Sequence, residues 1–368
     1  MGKVTDKPGR ELLPADILDA FRLPGEVVRV KPLGEGHINR TLCVTYRLDN
    51  GNTVKYVFQR INTSVFRMPE ALMDNIVRVT GHIRAKAQAE GRDPERSTLR
   101  FMQARTGKYF AVDAEGGYWR VYRFIDRCFV YQQVEKAEDF EKAGVALGKF
   151  QNMLADFPAD ELCETIPNFH NTVSRFRDFE AFVDNDRSGR ASSCLPEIEF
   201  VRARENYCPV ILNEIARGNV PIRVTHNDTK LNNVLMDEAT GDVLCLIDLD
   251  TVMPGSALYD FGDSIRFGAS SALEDERDLS KVHFMPELYD AYKKGYLSQA
   301  CSVLTETEQK LLPMSCIIMT LECGMRFLGD HIDGDNYFGI SRENQNLDRA
   351  RTQFKLVKEM EEYFEVVF

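Results

Sequence analysis

The chain has 368 residues, 43% of them apolar, enough for a sizeable core and for two lobes. Its 57 acidic residues outnumber 46 basic ones, and a net charge of −11 argues against general nucleic-acid or anionic-membrane binding. Nine cysteines, an odd number without C-x-x-C pairs, speak against a disulfide framework or a zinc site and fit small buried hydrophobes in a reducing cytosol.

Met1 to Arg10 is charged and lacks an apolar signal core, which predicts a cytoplasmic protein. Residues 1–25 read as a polar lead-in with a short amphipathic helix near Leu13–Phe21. A strand over Val27–Leu33 breaks into Gly34-Glu-Gly36-His37-Ile-Asn39, and further strands follow at Thr41–Leu48 and Thr53–Gln59. Gly34 and Gly36 allow the backbone to lie close over phosphates, although a tight hairpin asks for the same glycines. Alternation puts Lys55, Val57 and Gln59 on one face of the third strand, and Tyr56, Phe58 and Arg60 on the other.

From Pro69 to Gly91, Leu72, Ile76, Val79 and Ile83 recur at helical spacing and predict a core-facing helix. Strands return at Tyr109–Val112 and Tyr118–Ile125, with Trp119 expected to serve packing. Beyond Asp126 the pattern turns helical, over Glu141–Leu154, Arg175–Phe182 and Glu197–Ile215. The apolar tract Leu311–Leu328 contains Pro313, Glu322 and Arg326, so it reads as a buried helix rather than a membrane span. The run Leu347–Phe368 predicts an amphipathic helix docking on the larger lobe.

The densest signal is Val224 to Thr251. His226-Asn-Asp228 opens it, Asn233 leads into Val234-Leu-Met, a turn around Gly241 follows, and Val243-Leu-Cys-Leu-Ile ends on Asp248. Such a hairpin brings its outer ends together and sets Asp228 and Asn233 beside Asp248. Phosphoryl transfer needs a carboxylate for the acceptor hydroxyl and hard oxygen ligands for Mg²⁺ on the nucleotide, and these three residues suit those tasks. His226 is expected to hold the loop's shape, and Lys230 to neutralise charge on the transferring group. Downstream, Pro254-Gly255-Ser256 predicts a turn. Asp260 is expected to cap a helix and brace the loop rather than bind metal. Asp250 either supports the metal site or faces the substrate. Glu322 and Arg326, four apart, predict a local ion pair, and Asp330, Asp333 and Asp335 a solvated acidic loop.

His226-x-Asp228-x-x-x-x-Asn233, followed by a hairpin and Ile247-Asp248, resembles the aminoglycoside-phosphotransferase-like kinases, relatives of the protein kinases. H-N-D-T-K-L-N-N, I-D-L-D-T-V-M-P-G-S and D-F-G-D-S-I-R-F-G-A-S look more specifically like the bacterial N-acetylhexosamine 1-kinases. The likeness runs from about Val30 to near the C-terminus. It implies an α+β, two-lobed protein-kinase-like fold. A small antiparallel β-sheet lobe would occupy residues 1–125. A larger, mainly helical lobe over 126–368 would hold the catalytic loop 224–251 and the sugar site.

The resemblance further implies ATP and Mg²⁺, with transfer to the anomeric hydroxyl of N-acetylglucosamine or N-acetylgalactosamine; the expected partners are the sugar and ATP, with no nucleic acid and no membrane. Asp228 would be the catalytic base, assisted by Lys230. Gly34 and Gly36 would cover the phosphates, backbone near Phe124 and Ile125 would hold adenine, and Asn233 and Asp248 the metal. His37, Phe267, Arg326 and Tyr337 would join Asp228 around the sugar. One departure from the wider kinase pattern is the missing lysine of the third strand, where Gln59 stands and Lys55 or Arg60 is a candidate substitute. The rival readings are a kinase of the same fold for an amino alcohol, an aminoglycoside, homoserine or another sugar, and a nucleotide-binding scaffold without activity.

Overall fold

The computed structural model describes residues 12–33, 38–131, 134 and 136–366, so the expected phosphate-loop and sugar residues Gly34, Gly36 and His37 lie outside the described residues. The first half builds a sheet. After helix α1 (Ala15–Ala20) come β1 (Glu26–Pro32), β2 (Arg40–Arg47) and β3 (Thr53–Arg60), then helices α2 (Pro69–Ala89) and α3 (Pro94–Ser97), and β4 (Ala111–Val112) and β5 (Tyr118–Arg123). The sheet is antiparallel in the order β1-β2-β3-β5-β4. One face buries Val44, Phe58, Trp119 and Val121 with Ile17 of α1 in a core of its own, as period-2 alternation requires. Trp119 is a packing residue whose Nε1 donates to Asp113 Oδ2 at 2.7 Å.

The stripe Leu72, Ile76, Val79 and Ile83 of α2 is buried, but in the core that runs on into the helical lobe. Asn75, fully buried on the same helix, donates to Cys163 O at 2.7 Å and Val252 O at 3.0 Å, tying α2 to the chain just past the hairpin.

The helical lobe comprises β6 (Cys128–Phe129), α4 (Ala137–Met153), α5 (Thr172–Asn185), α6 (Leu195–Arg202), α7 (Val210–Ala216) and β7 (Arg223–Thr225), then β8 (Val234–Asp237), β9 (Val243–Leu246) and β10 (Met253–Gly255), and finally α8 (Ala257–Gly268), α9 (Pro286–Ala300), α10 (Glu306–Asp333) and α11 (Gln345–Tyr363). Helices α4 and α9 approach closely because a Cβ at Gly144 would sit 2.2 Å from Tyr292 O. Helix α10 starts with a capping box between Thr305 and Glu308 and ends at Gly334 in the left-handed region. It is long and apolar enough to cross a membrane, yet 72% of its most apolar window is buried inside the protein. Helix α11 buries Phe354, Val357 and Met360 in the same core.

Three expectations are corrected. The stretch Glu197–Ile215 is two helices with a 3₁₀ turn between them, broken just before Pro209, which has no N–H to continue a helix. Pro254-Gly255 is not a turn but strand β10, paired with β7 through Pro254 opposite Val224. The acidic run at the end of α10 is not solvated. Asp330 is buried and accepts from Tyr337 N (2.7 Å), Phe338 N (2.9 Å) and Asn346 Nδ2 (3.0 Å), while Asp335 pairs with Arg190 at 2.5 Å.

Candidate active site

The loop between β7 and β8 is held from beneath by α8. Asp260, fully buried, accepts from His226 N at 2.8 Å and Asn227 N at 2.7 Å. It does not cap the helix; Ser256 does, accepting from Leu258 N at 3.2 Å. His226 is also buried, with Nε2 2.9 Å from Ile247 O. A carbonyl can only accept, so Nε2 carries the hydrogen, and Nδ1 accepts from Asp228 N at 3.3 Å. With both nitrogens committed, His226 shapes the loop and has no proton to pass. Asn227 and Asp248 adopt positive φ of 61° and 59°, which short polar side chains tolerate better than most.

The hairpin β8–β9 pairs Val234 with Leu246, and Ile247 N donates to Asn233 O at 2.8 Å. Asp228, Asn233 and Asp248 are thereby brought together. Asn233 Nδ2 donates to Asp228 Oδ2 at 3.0 Å, and Lys230 Nζ lies 2.8 Å from Asp228 Oδ1. Both carboxylate oxygens of Asp228 are thus oriented, while the side chain keeps 25% of its surface open to the site. Burial disfavours the Lys230 ammonium, but the charge of Asp228 outweighs it and holds Lys230 above its usual range. Burial first, then the charges of Asp250 and Asp228, push the Asp248 carboxyl up to about 6. A crowded carboxylate of this kind is suited to a cation, and Asn233, whose amide nitrogen serves Asp228, retains its oxygen for one. Among the described residues no three His, Cys, Asp or Glu side chains form a metal cage.

Above the hairpin lies a cleft of about 380 Å³, walled by Val57, Gln59, Arg120, Tyr122, Asn233 and Asp248. Phe124 and Ile125 border it too, though the Phe124 amide is engaged with Lys55 O at 3.0 Å. Neither candidate for the missing lysine points here. Lys55 is half-buried and paired with Asp126, and Arg60 turns to Asp113 and Glu115. The buried cation of the cleft is Arg120 on β5, directly opposite Gln59. Its Nε and Nη2 donate to Gln59 Oε1 at 2.9 and 2.6 Å, and Nη1 pairs with Asp250. Asp250 in turn accepts from Asn39 Nδ2 at 2.5 Å, so the chain entering β2, β5 and the turn after Asp248 share one buried network. Burial opposes the Arg120 charge, and the Asp250 charge more than restores it. The sequence reading passed over Arg120. Its signal was a charged residue in the middle of Tyr118-Trp-Arg-Val-Tyr122, which an internal strand admits only with a buried partner.

A second hollow, of about 360 Å³, opens beside Lys230 and is bordered by His170, Asp263, Arg266, Phe267, Glu322 and Arg326. Phe267 is 42% exposed and presents its ring there. The expected Glu322–Arg326 pair does not form. Glu322 instead meets His170 Nδ1 at 2.9 Å and accepts from Thr172, while Arg326 lies over the rings of Phe338 (5.3 Å) and Tyr337 (5.8 Å). Arg266 is clamped between Asp263 (2.8 Å) and Glu274 (2.9 Å). Tyr337 is 74% exposed and borders an adjoining hollow behind Arg326, outside the pocket that contains Lys230.

The model of the phosphotransferase enzyme family (APH) matches residues 29–306. Among solved structures, a microcompartment-associated aminopropanol kinase superimposes with a TM-score of 0.60 at 14% identity, covering 95% of this chain and 96% of its own. An aminoglycoside phosphotransferase from Alicyclobacillus acidocaldarius gives 0.59 at 13% identity, over 100% and 99% of the two chains. An amicoumacin kinase, in complex with AMP-PNP and Ca²⁺, gives 0.56 at 13% identity over 94% and 91%. At these identities the likeness is one of fold.

Proposed function

Since the chain belongs to the phosphotransferase enzyme family, we propose that it is an N-acetylhexosamine 1-kinase. It would move the γ-phosphoryl group of ATP to the anomeric hydroxyl of N-acetylglucosamine or N-acetylgalactosamine. The nucleotide occupies the cleft under β3 and β5, with adenine near Phe124 and Ile125. Asp228, oriented by Lys230 and Asn233, takes the proton of the attacking hydroxyl. Lys230 offsets charge as the group passes, and such transfers are catalysed mainly by positioning and electrostatics. Asn233 and Asp248 would hold Mg²⁺, which supplies charge neutralisation to the nucleotide phosphates. Arg120, kept cationic by Asp250, provides the buried positive charge that the strand lacks at Gln59.

The observation that carries the choice of acceptor is the charge of the pocket beside Lys230. Its wall carries three carboxylates, Asp263, Glu274 and Glu322, against four cations, Lys230, Arg266, Arg326 and Arg349, so it is not anionic overall. Arg326, without a carboxylate partner among the described residues, stands beside Phe267 as a platform. Such a surface suits a neutral polyol with an acyl group. A cationic amino alcohol or aminoglycoside, the type of acceptor named for the structural neighbours, needs uncompensated carboxylates. Phosphorus NMR after incubation with Mg-ATP and either sugar tests the reading. Coupling of product phosphorus to the anomeric proton is the expected result. Turnover of another alcohol without any sugar phosphate overturns it.

A further inference from the structure

His170 sits at the edge of the acceptor pocket, just before α5, and its ring is fixed from three elements. Nδ1 meets Glu322 of α10 at 2.9 Å, and the ring packs on Phe169 (centroids 4.5 Å apart) and on Tyr259 of α8 (5.2 Å). Glu322 is 1% exposed and its other oxygen accepts from Thr172, so the carboxylate is committed as an acceptor on both sides. Nδ1 must therefore carry a hydrogen for Glu322, which leaves Nε2 as the ring's free hydrogen-bonding atom. The His170 side chain is only 9% exposed, and Nε2 is buried without a hydrogen-bond partner among the described residues. The pocket that His170 borders also holds Lys230, the neighbour of Asp228. A buried ring nitrogen without a partner is costly, and a ligand hydroxyl, which can donate or accept, fits the missing partner.

We infer that His170, set by Glu322, is a specificity-determining residue whose Nε2 hydrogen-bonds one ring hydroxyl of the acceptor sugar, away from the anomeric carbon. This rests on the N-acetylhexosamine reading above and extends it. Deleting one matched hydroxyl on the sugar and deleting Nε2 on the protein should then be equivalent perturbations. Neither should disturb the nucleotide, which lies in the other cleft.

The test is steady-state kinetics of wild type and His170→Asn on N-acetylglucosamine and its 3-, 4- and 6-deoxy analogues. Asparagine retains an N–H for Glu322 and removes the group that reached the pocket. The expected result is an acceptor KM raised about tenfold to a hundredfold, with kcat and the KM for ATP within about twofold. One deoxy analogue, already weakened to a similar degree in wild type, should lose nothing further in the variant. An unchanged acceptor KM, an equal penalty on the parent sugar and every analogue, or an equal shift in the KM for ATP overturns the assignment. If His170→Asn does not fold, His170→Gln, whose amide reaches the Nε2 position, should restore discrimination at that one hydroxyl; no discrimination in a folded His170→Gln overturns it. A wild-type enzyme inactive on every N-acetylhexosamine overturns the functional reading and this assignment together. An active wild type with a flat variant profile overturns this assignment alone.

Discussion

Arg120→Met isolates the network that stands where a strand lysine was expected. Arg120 is 3% exposed and Asp250 4%, so the charge pair has almost no water to fall back on. Methionine fills most of the side-chain volume but leaves Asp250 with Asn39 as its remaining hydrogen-bond donor. It also takes both donors from Gln59 Oε1, leaving Gln59 only the bond that its Nε2 donates to Thr41 Oγ1. Breaking one side of a buried pair costs about 3–5 kcal/mol, far more than the pair itself contributes relative to apolar replacement. Urea unfolding followed by circular dichroism and by the fluorescence of Trp119, the single tryptophan, should report a loss in that range. The decisive companion is Arg120→Met with Asp250→Asn. Neutralising the stranded carboxylate should recover about half of the loss, because the cost lies in an unpaired charge and not in a cavity. A single variant within about 1 kcal/mol of wild type, or a double variant no more stable than the single, refutes the reasoning.

Asp228→Asn should reduce turnover by orders of magnitude while leaving the Kd for Mg-ATP, measured by calorimetry, within a few-fold; unchanged turnover removes the base from Asp228. Asp260→Asn places an amide where two backbone N–H groups need acceptors, and one is left facing a donor; stability should fall by about 2–3 kcal/mol, read as a lower urea midpoint. The raised carboxyl of Asp248 predicts a pH dependence in nucleotide-free protein. Its folded value, about 6, lies above the 3.8 of the free side chain, so the fold binds the extra proton. That contribution is complete below pH 4 and is lost as pH rises through 6, hence the urea midpoint should fall across that window. In Asp248→Asn the fall should be smaller; an identical profile would assign the titration elsewhere.

Local pattern determined much of this molecule. Helical spacing in α2, alternation in β2 and β3, and the turn at Gly241 each act over a few residues, so the sheet-then-helices architecture was readable from the chain. The grouping of Asp228, Asn233 and Asp248 was readable for the same reason, since one short hairpin joins them. Tertiary structure alone decided which partner each buried charge takes. Glu322 has Arg326 one helical turn away and instead binds His170, 152 positions distant, because α10 buries that carboxylate against the chain entering α5. Arg120 finds Asp250 across the cleft, Asp260 serves backbone amides and not a helix end, and Asp330 draws the chain after α10 inward. A buried charge must be satisfied by whatever the fold delivers to it, and sequence spacing carries no record of that delivery.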